Sequence, residues 1–276
     1  MNSDNRFRDT LRRGAALAGA VAVTAGVAAA ANTATAAPPS TGSAGDQKPT
    51  VVLVHGAFAD SSSWNGVITD LSRDGYRVVA AADPLRDLDS DSNYVASVVN
   101  SIPGPVVLVG HSYGGSIITN AARQAGNVKS LVYIAAAAPD AGESTLTAGG
   151  ADLPHTDVGK KLCPHPIPDG VDLYLEPDQF HDTFAQDVPA DQAALMAATQ
   201  RPVKAGAFDA VSGEPAWKAL PSYYLVSTED HVIHPDAQRA MAKRIGAKET
   251  VEVHSSHAAA VSHPHETADL IRDASR

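Results

Sequence analysis

The sequence predicts an α/β protein with a mostly parallel, doubly wound sheet of about six strands. Short runs of β-branched and other apolar residues, typical of strands buried on both faces, alternate with longer helix-like stretches. A strand, helix, strand rhythm that repeats along a chain indicates a parallel sheet with helices packed on it. One long segment, residues 139–221, interrupts the rhythm and predicts a lid inserted after a strand.

The predicted strands are six apolar runs, at residues 51–54, 77–81, 106–109, 131–135, 223–226 and 250–253. The predicted helices are residues 63–73, 92–99, 115–124, 235–244 and 266–274. Gly75, Gly126 and Gly246 follow three of these helices, where a residue in the left-handed conformation often ends a helix. The interrupting segment carries helical pieces such as residues 190–199, so we expect a helical lid.

The first 36 residues predict an export signal that is removed from the mature protein. Four arginines, the last two being Arg12 and Arg13, precede an uncharged Ala/Gly/Val stretch at residues 14–31, and a small-residue cleavage pattern ends at Ala36. The arginine pair resembles a twin-arginine signal. Because Ala and Gly supply little apolar area, we expect cleavage and secretion rather than a stable membrane anchor. Residues 37–48 predict a flexible lead-in to a domain at 49–276.

Composition excludes several classes of function. The chain has 276 residues, 44% of them hydrophobic, which is enough to bury a sizeable core. Lys+Arg 21 against Asp+Glu 31 gives a net charge of -10, so a nucleic-acid partner is not expected. The single cysteine, Cys163, excludes an intrachain disulfide, and no metal or other cofactor site is predicted.

The segment Gly110-His111-Ser112-Tyr113-Gly114 follows a predicted strand and opens a predicted helix. In this strand, turn, helix context the G-x-S-x-G pattern is typical of a nucleophilic serine, forced onto a sharp turn at positive φ. Side chains on either flanking glycine would clash with the backbone of that turn. The pattern predicts Ser112 as the nucleophile; the alternative, a serine that only caps the helix, does not need these glycines.

A second backbone donor is expected beside the nucleophile, to stabilise the oxyanion that forms during acyl transfer. The loop after the first strand, His55-Gly56-Ala57-Phe58, is where such a donor comes from. We expect the N–H groups of Ala57 and Tyr113 to form the oxyanion hole. Gly56 is expected to allow a tight turn, and His55 to be a structural hydrogen-bonding residue.

The acid of a catalytic triad is expected after a strand that lies downstream of the serine. Asp230 follows the run at 223–226 and precedes the helix at 235–244, which makes it the preferred candidate. Glu229 and Asp236 nearby, and Asp140 after the preceding strand, remain alternatives.

The histidine is expected on a loop beyond the last strand, where His257 fits best. His254 fits a buried strand end, and His263 and His265 fit the polar start of a helix. In this arrangement His257 removes the proton of Ser112, while Asp230 orients the imidazole.

Together these motifs resemble the α/β-hydrolases, and most closely the compact six-stranded branch of bacterial esterases, plant methylesterases and hydroxynitrile lyases. The resemblance spans about residues 49 to 276 and implies a small carboxylic ester substrate, a helical lid and no cofactor. The lyases have Thr where Gly56 stands and Lys where Ala258 stands, which argues against cyanohydrin cleavage. A haloalkane dehalogenase has Asp where Ser112 stands.

The sequence therefore predicts an exported serine carboxylesterase that acts on small to medium esters. Five residues are candidates to line an apolar substrate pocket: Phe58, Tyr174, Phe180, Phe184 and Met196. A ligand-binding or sensing protein with the same fold and little turnover is the alternative from another class. A lactonase or an amidase uses the same residues and differs in pocket shape. The oligomeric state is not predicted.

Overall fold

The computed structural model describes residues 48–150 and 152–276, so the predicted export signal and all of the lead-in except Lys48 lie outside the described residues. The strands are β1 (Thr50–Val54), β2 (Val78–Ala81), β3 (Val106–His111), β4 (Val128–Ile134), β5 (Leu162–Ile167), β6 (Gly170–Leu175), β7 (Val203–Lys204), β8 (Ser222–Ser227) and β9 (Glu249–Val253). The helices are α1 (Asn65–Arg73), α2 (Leu88–Asn100), α3 (Tyr113–Ala121), α4 (Phe180–Phe184), α5 (Ala190–Thr199), α6 (Ala205–Asp209), α7 (Pro235–Arg244), α8 (Ala259–Ser262) and α9 (Pro264–Ala274). None of the helices in these residues is both long and apolar enough to cross a membrane.

The main sheet has six strands in the order β2-β1-β3-β4-β8-β9, and every neighbouring pair is parallel. The six strands predicted from the sequence are these six, which confirms the predicted fold class. The chain moves outward from β1 to β2 and then returns to place β3 on the other side of β1. Ligands of open α/β sheets bind at such a reversal, beyond the carboxyl ends of the strands. Val54 pairs with Gly110 there, so the two loops that follow lie side by side.

Both faces of the main sheet are covered, as the continuous apolar runs predicted. Alternate side chains of β1 enter opposite halves of the core: Val52 and Val54 pack with residues of α2, α3 and the lid. Val51 and Leu53 pack with residues of α1 and α9 on the other face. Since all four side chains are fully buried, β1 forms a rigid base for the loop at its carboxyl end.

Two of the three helix-ending glycines have the expected conformation. Gly75 has φ 78° and Gly246 has φ 60°, both in the left-handed region that a residue with a side chain seldom adopts. Gly126 does not, and the prediction was wrong there. The last turn after α3 is a 3-10 turn that already ends at Ala125, whose backbone is extended at φ -128° and ψ 107°.

The lid lies between β4 and β8 and contains both helices and strands. Helix α5 corresponds to the predicted helical piece, and α4 and α6 are shorter. The sequence analysis did not anticipate the antiparallel sheet of order β5-β6-β7. Its outer strand β5 carries Pro164 and Pro166. Because these prolines are two residues apart, their backbone nitrogens face the same side of the strand. Proline lacks a backbone donor and is tolerated at a sheet edge, which is where β5 lies.

Candidate active site

Ser112 occupies a strained turn between β3 and α3. Its φ of 54° and ψ of -124° lie outside the conformations that side-chain-bearing residues usually adopt. The turn is held from both sides, because the carbonyl of Ser112 accepts hydrogen bonds from Gly115 N at 2.9 Å and Ala137 N at 3.1 Å. The surrounding structure thus enforces the conformation that the glycine pattern predicted.

The glycines around this turn are required by close approach of the backbone. A Cβ on Gly110 would lie 2.6 Å from the carbonyl carbon of Gly114. A Cβ on Gly56 would lie 2.6 Å from the Cβ of Ser112 and 3.1 Å from the backbone nitrogen of Tyr113. Gly56 does not have a positive φ, so a glycine is required at this position by the close approach and not by a left-handed backbone. The absence of a side chain on Gly56 lets the loop after β1 lie directly against the turn at Ser112.

A cavity of about 460 Å³ opens at this place, and its lining includes Ala57, Phe58, Ser112 and Tyr113. The N–H of Tyr113 is the first of α3, so no residue of that helix can accept its hydrogen bond. The positive end of the α3 dipole points the same way and favours a developing negative charge. The two residues predicted as oxyanion donors therefore border the same cavity as the predicted nucleophile.

Asp230 and His257 form a buried pair at the ends of β8 and β9. The Nδ1 of His257 lies 2.7 Å from Oδ2 of Asp230, and both side chains are fully buried. The other oxygen of Asp230 accepts hydrogen bonds from Val232 N at 2.7 Å and Ile233 N at 3.0 Å. Because a carboxylate only accepts, Nδ1 carries the proton in neutral His257, which leaves Nε2 as the basic nitrogen.

The basic nitrogen of His257 is buried and has no hydrogen-bond partner among the described residues. The bond from the hydroxyl of Ser112 to this nitrogen is therefore not formed in this structure, and such bonds are often long until substrate binds. His111, next to Ser112, nevertheless contacts His257 directly. Its Nε2 donates to the backbone carbonyl of His257 at 2.8 Å, and the two ring centroids are 4.7 Å apart.

His111 is a site residue that the sequence analysis missed, because it stands at the variable second position of the serine motif. Burial, together with the charge of His257, holds the pKa of His111 well below its ordinary value. A neutral His111 anchors the backbone of His257 without adding a second positive charge when His257 takes up a proton. Its ring packs edge-on against Trp64 and Phe184, which fixes its orientation.

The alternative acids are occupied elsewhere. Asp140 pairs with Lys218 at 2.8 Å, and this ammonium lowers the pKa of the Asp140 carboxyl. Asp236 lies in the first turn of α7 and pairs with Arg239 at 2.8 Å. Neither carboxylate forms the short contact to a histidine ring that Asp230 makes.

The alternative histidines lie nearer to solvent than His257. The side chain of His254 is 82% exposed, so the expectation of a buried strand end was wrong, and its Nδ1 lies 3.4 Å from Glu229. His265 is similarly exposed, in the first turn of α9. His263 stands at the N-cap position of that helix, with its Nδ1 3.4 Å from Glu266. Of the four histidines in this stretch, His257 is the fully buried one.

Comparison with known proteins identifies the family. The sequence profile of the alpha/beta hydrolase family matches residues 51–270. The chain belongs to this family. It is 27% identical over 244 residues to the pyrethroid hydrolase of Sphingobium wenxiniae, covering 81% of this chain and 86% of that protein. It is 26% identical over 243 residues to methylesterase 17 of Arabidopsis thaliana, covering 78% and 87%. The crystal structure of polyneuridine aldehyde esterase superimposes with a TM-score of 0.71 at 20% identity, covering 83% of this chain and all of that one.

These similarities make this alpha/beta hydrolase a hydrolytic enzyme with esterases among its relatives. The likeness to the solved structure, at 20% identity, shows the common fold. The match covers the main sheet and the lid, so the resemblance noted from the serine, acid and histidine motifs extends over the described domain.

The residues proposed to line the pocket lie in four different places. Phe58 lines the cavity at Ser112, and Met196 lines a separate cavity. Phe184 packs edge-on against His257 at 4.9 Å between ring centroids, and Phe180 stacks on Phe184 at 5.0 Å. Tyr174 packs against the ring of His165 at the outer strand of the lid. The actual lining of the Ser112 cavity comes largely from smaller aliphatic residues: Ala137, Leu146, Leu153, Val158, Leu162, Leu173, Val232, Ile233 and Met241.

Gln238 is a second residue that sequence reasoning missed. It lies on α7, fully buried, and its Nε2 donates to Oδ2 of Asp230 at 2.7 Å. The same nitrogen donates to the carbonyl of Ile233 at 2.8 Å, while Oε1 accepts from Ser227 N at 3.0 Å. The one signal in the sequence was its place near the start of α7, shortly after the loop that carries the acid. No group of three or more His, Cys, Asp or Glu in the described part of the chain is arranged to hold a metal ion.

Proposed function

We propose that this alpha/beta hydrolase is a serine carboxylesterase that cleaves small to medium carboxylic esters through an acyl-enzyme on Ser112. His257 removes the hydroxyl proton as Ser112 attacks the ester carbonyl, and the N–H groups of Ala57 and Tyr113 hold the oxyanion. His257 then returns the proton to the departing alcohol, and a water molecule releases the acid by the same steps. Asp230 keeps the proton of His257 on Nδ1 and stabilises the imidazolium.

The observation that carries this proposal is the strained backbone of Ser112, with φ 54°, at the edge of a cavity that Ala57 and Tyr113 also border. Strain of this kind persists only where the surrounding contacts enforce it, and it clusters at functional sites. A serine that merely capped α3 would not need it. The buried pair of Asp230 and His257 supplies a base of the correct tautomer at the same edge of the sheet.

The lining of the cavity supports an uncharged, apolar ester as the substrate. No Lys or Arg is found among its described lining residues, and Asp209 is the carboxylate among them. A substrate with a free carboxylate would therefore lack a counter-charge there. At about 460 Å³ the cavity is within the size range of sites for small organic molecules. The esterase names of the relatives agree with this substrate class.

The test is hydrolysis of p-nitrophenyl acetate by wild type, by Ser112→Ala and by Ser101→Ala, a matched change at an exposed serine. We expect Ser112→Ala to lose roughly 10⁴-fold or more in kcat, since loss of a triad member has effects of this size. A fluorophosphonate probe is expected to label wild type and Ser101→Ala on the peptide that contains Ser112. Equal rates for wild type and Ser112→Ala would overturn the proposal, and tight ester binding without turnover would favour a sensing role.

We also propose that the protein is exported by the twin-arginine route and cleaved after Ala36. The support is the sequence of the first 36 residues: the Arg12-Arg13 pair, the weakly apolar stretch and the small residues before the cut. Secreted protein is expected to begin at Ala37 by N-terminal sequencing. Lysine in place of both arginines is expected to retain the precursor inside the cell, and unchanged secretion would refute the twin-arginine route.

A further inference from the structure

A second cavity lies on the other side of Phe58 from the nucleophile. It has a volume of about 350 Å³ and lies between the turn that begins α1 and the lid helix α5. We call it the α5 groove; its lining includes Phe58, Asp60, Asn65, Gln192, Met196 and Val261. Of the residues that the structure describes, Phe58 alone lines both this groove and the Ser112 cavity.

The backbone of Phe58 is fixed in an unusual conformation. Its φ is 61°, in the left-handed region that a residue with a side chain seldom adopts. The N–H of Phe58 donates to the carbonyl of Arg201 in the lid at 3.1 Å, which ties this turn to the lid. Since Phe58 follows Ala57 directly, the side chain stands next to the expected oxyanion hole.

The ring of Phe58 is held by the lid helix α6. Its centroid lies 6.3 Å from that of Phe208, and Phe208 packs edge-on against Tyr113 at 5.7 Å. Phe58 and Phe208 both line the Ser112 cavity, so the two rings together form part of its wall. Although Phe58 borders two cavities, it is only 5% exposed. A buried ring that is held in one position by a strained turn can separate the Ser112 cavity from the α5 groove.

The chemistry of the α5 groove matches one arm of an uncharged ester. Apolar side chains such as Met196, Leu195 and Val261 alternate there with the amides of Asn65 and Gln192. Asp60 is the ionisable residue of the described lining, and its Oδ1 is already engaged by Ser62 N at 2.7 Å. Alkyl or ether chains fit such a surface, whereas a carboxylate or a phosphate would have no Lys or Arg side chain to pair with in the described lining.

We propose that Phe58 closes the α5 groove off from the Ser112 cavity, which makes Phe58 the residue that sets the permitted length of the ester. This inference rests on the proposed esterase function. With the ring in place, an ester must fit the Ser112 cavity alone. Without it, an extended uncharged arm, acyl or alcohol, passes from Ser112 into the groove.

The test compares kcat/KM for p-nitrophenyl decanoate and p-nitrophenyl acetate in wild type and Phe58→Ala, with decyl acetate and ethyl acetate as the alcohol-side series. Burying a methylene favours binding about fourfold, so two methylenes in the groove suffice for a gain of about tenfold or more in the long-to-short ratio. Phe58→Leu, a milder change, is expected to give a smaller gain. Adding Gln192→Trp to Phe58→Ala fills the groove and is expected to cancel it.

Leu71→Ala serves as the matched control, because it removes a buried apolar side chain of α1, on the other face of the sheet, that lines neither cavity and should leave the ratio unchanged. Each variant is compared by far-UV circular dichroism and by fluorophosphonate labelling of Ser112. A long-to-short ratio that stays at the wild-type value in both ester series, in folded and labelled Phe58→Ala or Phe58→Leu, would overturn this inference. Absence of ester hydrolysis by wild type would instead overturn the proposed function.

Discussion

Replacing Gln238 by leucine removes three buried hydrogen bonds from the loop that carries the proposed catalytic acid. The amide of Gln238 joins Oδ2 of Asp230, the carbonyl of Ile233 and the N–H of Ser227, at 2.7, 2.8 and 3.0 Å. Leucine has a similar volume, so the change removes polar contacts while it leaves little empty space.

The expected loss of stability follows from these three contacts. A hydrogen bond to an ionised group contributes about 1.5–3 kcal/mol, and a buried polar group left without a partner costs about 1–3 kcal/mol. Ser227 N and the carbonyl of Ile233 would both be left in this way. We therefore expect the free energy of unfolding to fall by about 3.5–9 kcal/mol, a large part of the ~5–15 kcal/mol typical of a folded protein.

The assay is urea unfolding followed by circular dichroism, with Gln124→Leu as the matched control. Gln124 is exposed at the end of the turn after α3, so its replacement is expected to change stability by about 0.5 kcal/mol or less. If Gln238→Leu unfolds within about 1 kcal/mol of wild type, the hydrogen bonds do not support the acid loop and the reasoning fails.

Gln238→Glu separates an effect on Asp230 from a general loss of stability. The introduced carboxylate would still accept from Ser227 N, but when ionised it cannot donate to Asp230 and repels it. At low pH a protonated glutamic acid can still donate. We expect kcat/KM of this variant, relative to wild type, to fall as the pH rises, and a pH-independent ratio would contradict a positioning role for Gln238.

Two further variants test the turn at Ser112 and the buried carboxyl group of Asp83. In Gly56→Ala the added Cβ would lie 2.6 Å from that of Ser112, so we expect a stability loss of about 1–3 kcal/mol and a roughly 10–100-fold drop in kcat. Gly126→Ala, whose Cβ meets nothing within 4 Å, is the control, and equal effects of the two changes would refute the steric argument. Burial and the neighbouring carboxylate of Asp91 raise the pKa of Asp83 to about 8. Because the unfolded chain loses this proton near pH 4, the stability that the protonated group contributes is complete below about pH 4 and is lost as the pH rises to about 8. Asp83→Asn is expected to lose less stability than wild type between pH 5 and pH 9 in urea unfolding, and identical pH profiles would contradict the raised pKa.

Most of the lid residues predicted to line the substrate pocket do not line the cavity at Ser112. Phe184 was expected in the substrate pocket because it is a large apolar residue of the lid, yet it packs against the ring of His257. Met196 lies on α5 and faces the other cavity. Whether a lid side chain meets substrate depends on how the lid docks onto the sheet edge, and residues far apart in the chain determine that docking. The hydrogen bond from Phe58 N to Arg201 is one such contact.

The sequence analysis missed two site residues for the same reason. His111 occupies a position of the serine motif where any residue is allowed, and its importance comes from the carbonyl of His257, far away in the chain. Gln238 matters because α7 turns one face toward Asp230. Neither contact leaves a motif of its own in the sequence.

The amino-acid sequence by itself determined the six strands of the main sheet and the strained turn at Ser112. These features depend on local requirements: apolar runs for strands buried on both faces, and glycines where the backbone approaches itself within van der Waals distance. The tertiary structure alone decided which side chains surround His257, that β5 to β7 form a sheet in the lid, and that Phe58 stands between two cavities. The physical reason is that packing between two distant segments depends on the shape and polarity of both contacting surfaces. The residue pattern of one segment describes only its own surface.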